Sequence, residues 1–244
     1  MKAGHGKAEI IISKTLCQSI YKHLKQQIVT NKLKAGQRIN EKEIAGLFQV
    51  SQTPVREAIF MLGAEGLVNI KSHRETTVSA LSYIELKEIF QVLDALEPAV
   101  IILALDNMGS KDIKKLEDLY KEMERYCHID FVEKYCEVQL AFHEEIWKAG
   151  SNGFLIEVLD SIKDHILRYN EARYHAFRKP GTLEASLHKH REILTALKTK
   201  NKRKLRALMS KHWGPIFLRS SPYGKGIKEY LSLNNNDQDK KIEK

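Results

Sequence analysis

Residues 39–68 read INEKEIAGLFQVSQTPVREAIFMLGAEGLV, and this stretch decides the fold of the first third of the chain. Glu41 to Phe48 places Ile44, Ala45 and Phe48 on one helical face, and Gln49 to Ser51 is long enough only for a turn. A second helix follows, with Ser51 positioned to cap it and Pro54 in its first turn, where no intrahelical donor is missed. Val55, Ala58, Ile59 and Leu62 recur at i, i+3, i+4 and i+7, which predicts a buried stripe and leaves Thr53 and Arg56 facing outward. Gly66 ends the helix. In a helix-turn-helix the second helix enters the DNA major groove with its N-terminal residues toward bases and phosphates. Gln52, Thr53 and Arg56 carry an amide, a hydroxyl and a guanidinium suited to that task, with Ser51 beside them. The same periodicity also fits a plain helical hairpin inside a core.

Outward from this stretch, Leu16, Ile20, Leu24 and Ile28 line one side of a helix over Thr15–Thr30, and Asn31–Gln37 is a loop. Arg38 follows at a place where a cation can hold a phosphate. Leu67–Ile70 and Thr76–Ser79 are short β-rich runs around Lys71-Ser72-His73-Arg74-Glu75, a small hairpin in which His73 and Arg74 are further candidates for backbone or minor-groove contact. The net charge of +9 is concentrated here: up to Ala80 there are twelve Lys and Arg against six acidic residues. That is the electrostatic footprint of a phosphate-binding domain.

These residues resemble the winged-helix domain of GntR-type bacterial transcription regulators. The resemblance runs through Tyr21, Leu24 and Ile28, then Gly36, Ile39 and Glu41, then Ile44-Ala45 and Phe48 to Ile59, and closes on Glu65-Gly66-Leu67-Val68. It implies binding of double-stranded operator DNA. Two positions depart from the family pattern. Gln52 replaces an arginine that often reads guanine, and an amide pairs better with adenine. Glu75 falls where the family has its wing-tip glycine.

From Ser82 the pattern is helical throughout. Ser82-Tyr83-Ile84-Glu85 is a capping box opening a helix to about Asn107, which Pro98 should kink. Further helices are predicted over Lys111–Tyr126, from Asp130 to Lys148, over Phe154–Ala176, Leu183–Thr199 and Lys202–Leu218. The fold class is therefore mainly α: a flexible arm over 1–12, a winged helix-turn-helix over 13–80 and an all-α antiparallel bundle over 81–221. A polar tail over 222–244 is predicted to be disordered.

This second part resembles the ligand-sensing FCD domain of the FadR branch of the same family, through Leu96-Glu97, Ala141-Phe142-His143, Ser151-Asn152, His190 to Leu194 and His212. The resemblance implies a divalent metal held by an aspartate and three histidines, and a small organic acid as effector. His190 and His212 lie equally far from the turn at Lys200-Asn201. In an antiparallel pair they are level, about 16 Å along the helices at ~1.5 Å per residue. With His143 they make a set suited to zinc, nickel or a similar ion. Gln139, one turn before His143, occupies the aspartate position. A neutral amide oxygen is a poorer donor, which weakens the site, changes its metal preference or abolishes it. Leu93 stands where many relatives carry an effector-binding arginine, and Arg168 and Tyr169 are the alternative effector-binding candidates.

The resulting expectation is a cytoplasmic, homodimeric transcription regulator on a palindromic operator, controlled by a small effector in the bundle. Two alternatives remain: a DNA-binding protein whose bundle only dimerises, and a metal-dependent hydrolase with Glu144 or Glu145 as base. No apolar run approaches the ~20 residues that span a bilayer. Cys17, Cys127 and Cys136 lack disulfide or metal spacing, as in a reducing compartment.

Overall fold

A computed structural model describes residues 3–71, 75–210, 212–213 and 221–242, with side chains described from 15 to 233 within those ranges. It divides into two compact units, Met1–Leu81 and Ser82–Lys244.

In the first unit, α1 (Ala3–Val29), α2 (Glu41–Phe48) and α3 (Gln52–Ala64) surround a three-stranded antiparallel sheet of β1 (Arg38–Ile39), β2 (Val68–Lys71) and β3 (Glu75–Val78), in the order β1-β3-β2. Ile20, Leu24 and Ile28 of α1 meet Val55, Ala58, Ile59 and Leu62 of α3 in one core that Leu67, Val68 and Val78 close from the sheet side. Helix α1 starts at Ala3, so residues 3–12 continue the helix rather than forming a separate arm. The run Lys7-Ala8-Glu9-Ile10 contains good helix formers and no proline to stop the extension. Ser51 occupies the N-cap position of α3 but makes no side-chain cap bond. Its usual donor, the amide three residues on, belongs to Pro54 and does not exist. Asn40 does cap α2, accepting from the Lys42 amide at 3.0 Å. Glu75 is not the wing tip; it opens β3, paired with Lys71.

The second unit is all helical: α4 (Tyr83–Asn107), α5 (Ser110–Tyr126), a 3-10 turn (Ile129–Phe131), α6 (Val132–Ala149), α7 (Gly153–Arg168), α8 (Asn170–Phe177), α9 (Thr182–Lys198), α10 (Lys202–Met209) and α11 (Pro222–Ile242). Helix α4 packs against α6, α7 and α10, while α5 and α9 lie on the α6 and α10 sides. Ser82 caps α4 by accepting from the Ile84 and Glu85 amides, but Glu85 does not return the bond that a capping box requires. Its carboxylate instead accepts from the Tyr169 hydroxyl at 2.7 Å.

Three expectations are corrected. The helix foreseen over Phe154–Ala176 is broken at Tyr169 into α7 and α8. Helix α10 ends at Met209. Residues 222–242 form α11, which packs on α8 with Tyr223, Ile227 and Leu231 buried. Those three apolar residues recur at intervals of four, enough to bury one stripe of a helix whose composition is otherwise polar. Among the described residues, no helix is long and apolar enough to cross a membrane.

Candidate nucleic-acid interface and metal centre

At the start of α3, Ser51, Thr53 and Arg56 are exposed and Gln52 is half-buried, while the apolar stripe behind them is fully covered. The Arg56 guanidinium is held before any ligand arrives: Nε donates to Glu41 Oε2 at 2.7 Å and Nη2 to Gln52 Oε1 at 3.3 Å. That engagement leaves the Gln52 amide nitrogen as the end free to donate outward. Glu41 sits in the first turn of α2, where the helix dipole favours its charge. Its reach of fifteen positions to Arg56 has no signature in local spacing. Arg38 is exposed on β1 opposite Thr77. The candidates His73 and Arg74 lie outside the described residues.

In the second unit, His143 on α6, His190 on α9 and His212 just beyond α10 offer one ring nitrogen each within 4.8 Å of one another. All three are buried. His190 Nδ1 lies 2.8 Å from the carbonyl of Ser186 on its own helix, so that nitrogen carries the proton and Nε2 is a lone pair. His143 Nδ1 lies 2.9 Å from Glu97 Oε1. This contact is too bent to count as an aligned hydrogen bond, yet only a protonated nitrogen tolerates a carboxylate oxygen so near. His143 Nε2 is therefore a lone pair too. The two Nε2 atoms face each other at 3.1 Å. Two acceptors in such contact repel unless a cation lies between them, and three neutral imidazoles around that point fit a borderline divalent ion. Burial, with the repulsion that neighbouring imidazoles would exert if protonated together, pushes His190 down to about 3 and His212 well below its ordinary value. Both are thus neutral and ready to ligate.

The surroundings keep these rings in place. Glu97, wholly buried on α4, accepts from Trp147 Nε1 at 3.0 Å and from Trp213 Nε1 at 2.7 Å. Trp213 stacks on Phe90 and donates its backbone amide to Asp94. Lys189 Nζ donates to the His212 carbonyl at 3.3 Å. These supports orient ligands as outer-shell partners do.

Residues 16–78 match the family model of bacterial regulatory proteins of the gntR family, and residues 88–214 match the FCD domain model. The chain is a GntR-family transcription regulator. It is 28% identical to the uncharacterised HTH-type regulator YdhC of Bacillus subtilis over 75% of this chain and 80% of that one. It is 25% identical to the repressor RspR of Escherichia coli over 80% and 84% of the two chains. The solved structure of Escherichia coli McbR, at 22% identity, superposes with a TM-score of 0.65 and covers 91% of this chain and 98% of that one. That likeness shows a shared fold.

Within this GntR-family chain, two groups of site residues stand elsewhere than their spacing suggested. Gln139 is buried near the histidines, but its oxygen accepts from Arg173 Nη2 at 3.2 Å and its nitrogen donates to Ser186 Oγ at 3.2 Å. A guanidinium claims the oxygen that was expected to serve a metal. Arg168 and Tyr169, at the end of α7, are fully buried, reach the start of α4, and do not line the cavity beside the histidines. The Tyr169 hydroxyl bonds Ser82 and Glu85, and Arg168 Nη1 stands 3.7 Å from the same Glu85. The cavity beside the histidines, about 150 Å³, is lined instead by Gln139, Ser186, Lys189, His212, Trp213 and Tyr223. Tyr223 comes from α11, whose polar composition concealed it. Glu97 carried a signal, an acid inside the apolar run of α4. Leu93 is buried as a core residue of that helix. Glu144 and Glu145 are engaged by Lys163 at 3.0 Å and Lys115 at 2.6 Å.

Proposed function

We propose that this regulator binds a palindromic operator in the cytoplasm as a homodimer and alters its grip when a divalent ion and a small effector occupy the helical unit. The opposed lone pairs of His143 and His190 carry the metal reading, since that arrangement is unfavourable without a cation. His143, His190 and His212 would hold the ion with no protein carboxylate in the first sphere, and Glu97 balances part of its charge. An ion so held leaves coordination positions open to a ligand from the adjoining cavity, which His212 also lines. The engagement of Glu144 and Glu145 in surface ion pairs favours this sensor over the hydrolase.

For the reading head, Arg56, Gln52 and Thr53 contact bases, with Ser51 and Arg38 on the backbone; His73 and Arg74 are assigned to the wing from sequence alone. Arg56→Ala should weaken specific binding by about 1–3 kcal/mol if the guanidinium makes a bidentate base contact. Footprinting upstream of the protein's own gene, with and without chelator, tests the whole proposal. Protection that is palindromic and metal-sensitive supports it. Unchanged operator affinity in Arg56→Ala removes that residue from the interface, and protection indifferent to metal and to small acids leaves the bundle as a dimerisation body only.

A further inference from the structure

The first turn of α3 carries a side chain whose reading direction is set before DNA arrives. Arg56 Nη2 donates to Gln52 Oε1 at 3.3 Å, one helical turn back, and Arg56 Nε donates to Glu41 Oε2 at 2.7 Å. A guanidinium only donates, so the Gln52 amide turns its oxygen toward Arg56 and its nitrogen away. Glu41, whose own side chain is mostly covered, holds the guanidinium from its other edge in a charge-assisted bond. Arg56 is thereby anchored on α2, and Gln52 is anchored on Arg56.

This direction decides which base edge Gln52 matches. An amide that reads adenine bidentately accepts from N6 with its oxygen while its nitrogen donates to N7. In this chain the oxygen is already taken by Arg56, and the groove is offered N–H donors alone. Guanine presents two adjacent acceptors in the major groove, N7 and O6. Adenine presents one acceptor beside an amino donor, cytosine an amino donor, and thymine one acceptor beside a methyl group. The two hydrogens on Gln52 Nε2 therefore match guanine better than any other base. A free glutamine amide favours adenine; the neighbouring guanidinium reverses that preference.

We propose that Gln52 is a donor-only reader that selects guanine in the operator, with Arg56 as the positioning residue that makes it so. Glu41 sets the guanidinium, the guanidinium sets the amide, and the amide sets the base. The inference rests on the placement of α3 in the major groove and deepens that reading by naming the base that Gln52 selects.

Selection of duplexes from a random pool by the full chain, followed by competition binding with single base pairs exchanged, tests it. Gln52→Ala identifies the position that Gln52 reads, as the one whose preference flattens. At that position the wild type should favour guanine over adenine by roughly tenfold or more. Arg56→Met frees the amide oxygen; assayed at low salt, where weakened binding is still measurable, it should favour adenine there. A wild-type preference for adenine at that position, an unchanged profile in Gln52→Ala, or a folded Arg56→Met protein that still favours guanine overturns the proposal and leaves the reading head in place. Failure of the wild type to enrich any sequence refutes the reading head itself, and the proposal falls with it.

Discussion

Removing His190 separates a metal centre from a set of histidines that merely pack together. In the wild-type chain the imidazole is completely buried, its Nδ1 proton is fixed on the Ser186 carbonyl, and Nε2 is held 3.1 Å from that of His143. Binding to the native state alone stabilises it by about 2.7 kcal/mol when free metal is a hundredfold above its dissociation constant. For chains of this size each kcal/mol moves the melting temperature by roughly 2–4 °C, so a rise of about 5–10 °C is expected. The assay is thermal unfolding of chelator-treated protein against increasing zinc or nickel, with elemental analysis of the protein as purified. His190→Ala removes one of three ligands and should abolish most of the rise. A wild-type protein that gains nothing from either metal refutes the reasoning, and so does a His190→Ala protein that gains as much as the wild type.

Tyr169→Phe deletes the partner of the Ser82 amide and of Glu85; it should cost about 1–3 kcal/mol in denaturant unfolding, and an unchanged midpoint would remove the phenol from the supports of α4. Gly226→Ala would bring a methyl group to 2.8 Å from the Ala176 Cα and 3.2 Å from the Lys179 side chain. It should destabilise by about 1–3 kcal/mol and open α11 to protease, whereas a neutral substitution would contradict the packing of α11 on α8. In metal-free protein, burial holds His190 at about 3 and keeps His212 low as well. The unfolded chain takes up these protons near pH 6.5 and the native chain does not, so stability is full above that pH and declines as pH falls toward 3. A melting temperature that rises on acidification from pH 7 to 5 would exclude buried neutral imidazoles.

The reading head was legible because its signals are local. Four apolar residues at helical spacing marked the covered face of α3, and Thr53 and Arg56 are exposed as that spacing requires. Counting from the Lys200-Asn201 turn also brought His190 and His212 level, and their rings lie 5.1 Å apart even though α10 stops at Met209. Long-range competition was not legible. Nothing near Gln139 announces a guanidinium thirty-four positions later that takes its oxygen. The cap foreseen at Ser51 failed for a reason already present in the sequence, the imino nitrogen of Pro54. The helix over 222–242 was not legible because the polar run from Asn234 to Gln238 outweighs the three apolar residues before it.

Tyr169 lies where α7 gives way to α8, one helical turn before Arg173, whose amide donates to the Tyr169 carbonyl at 2.9 Å. Its hydroxyl touches both the amide and the carbonyl of Ser82, the residue at which the helical unit begins. Removing that hydroxyl would therefore release both backbone polar groups of Ser82 and the Glu85 carboxylate together, at the first turn of α4. One phenol thus fastens the opening turn of the helical unit to the joint between two of its later helices.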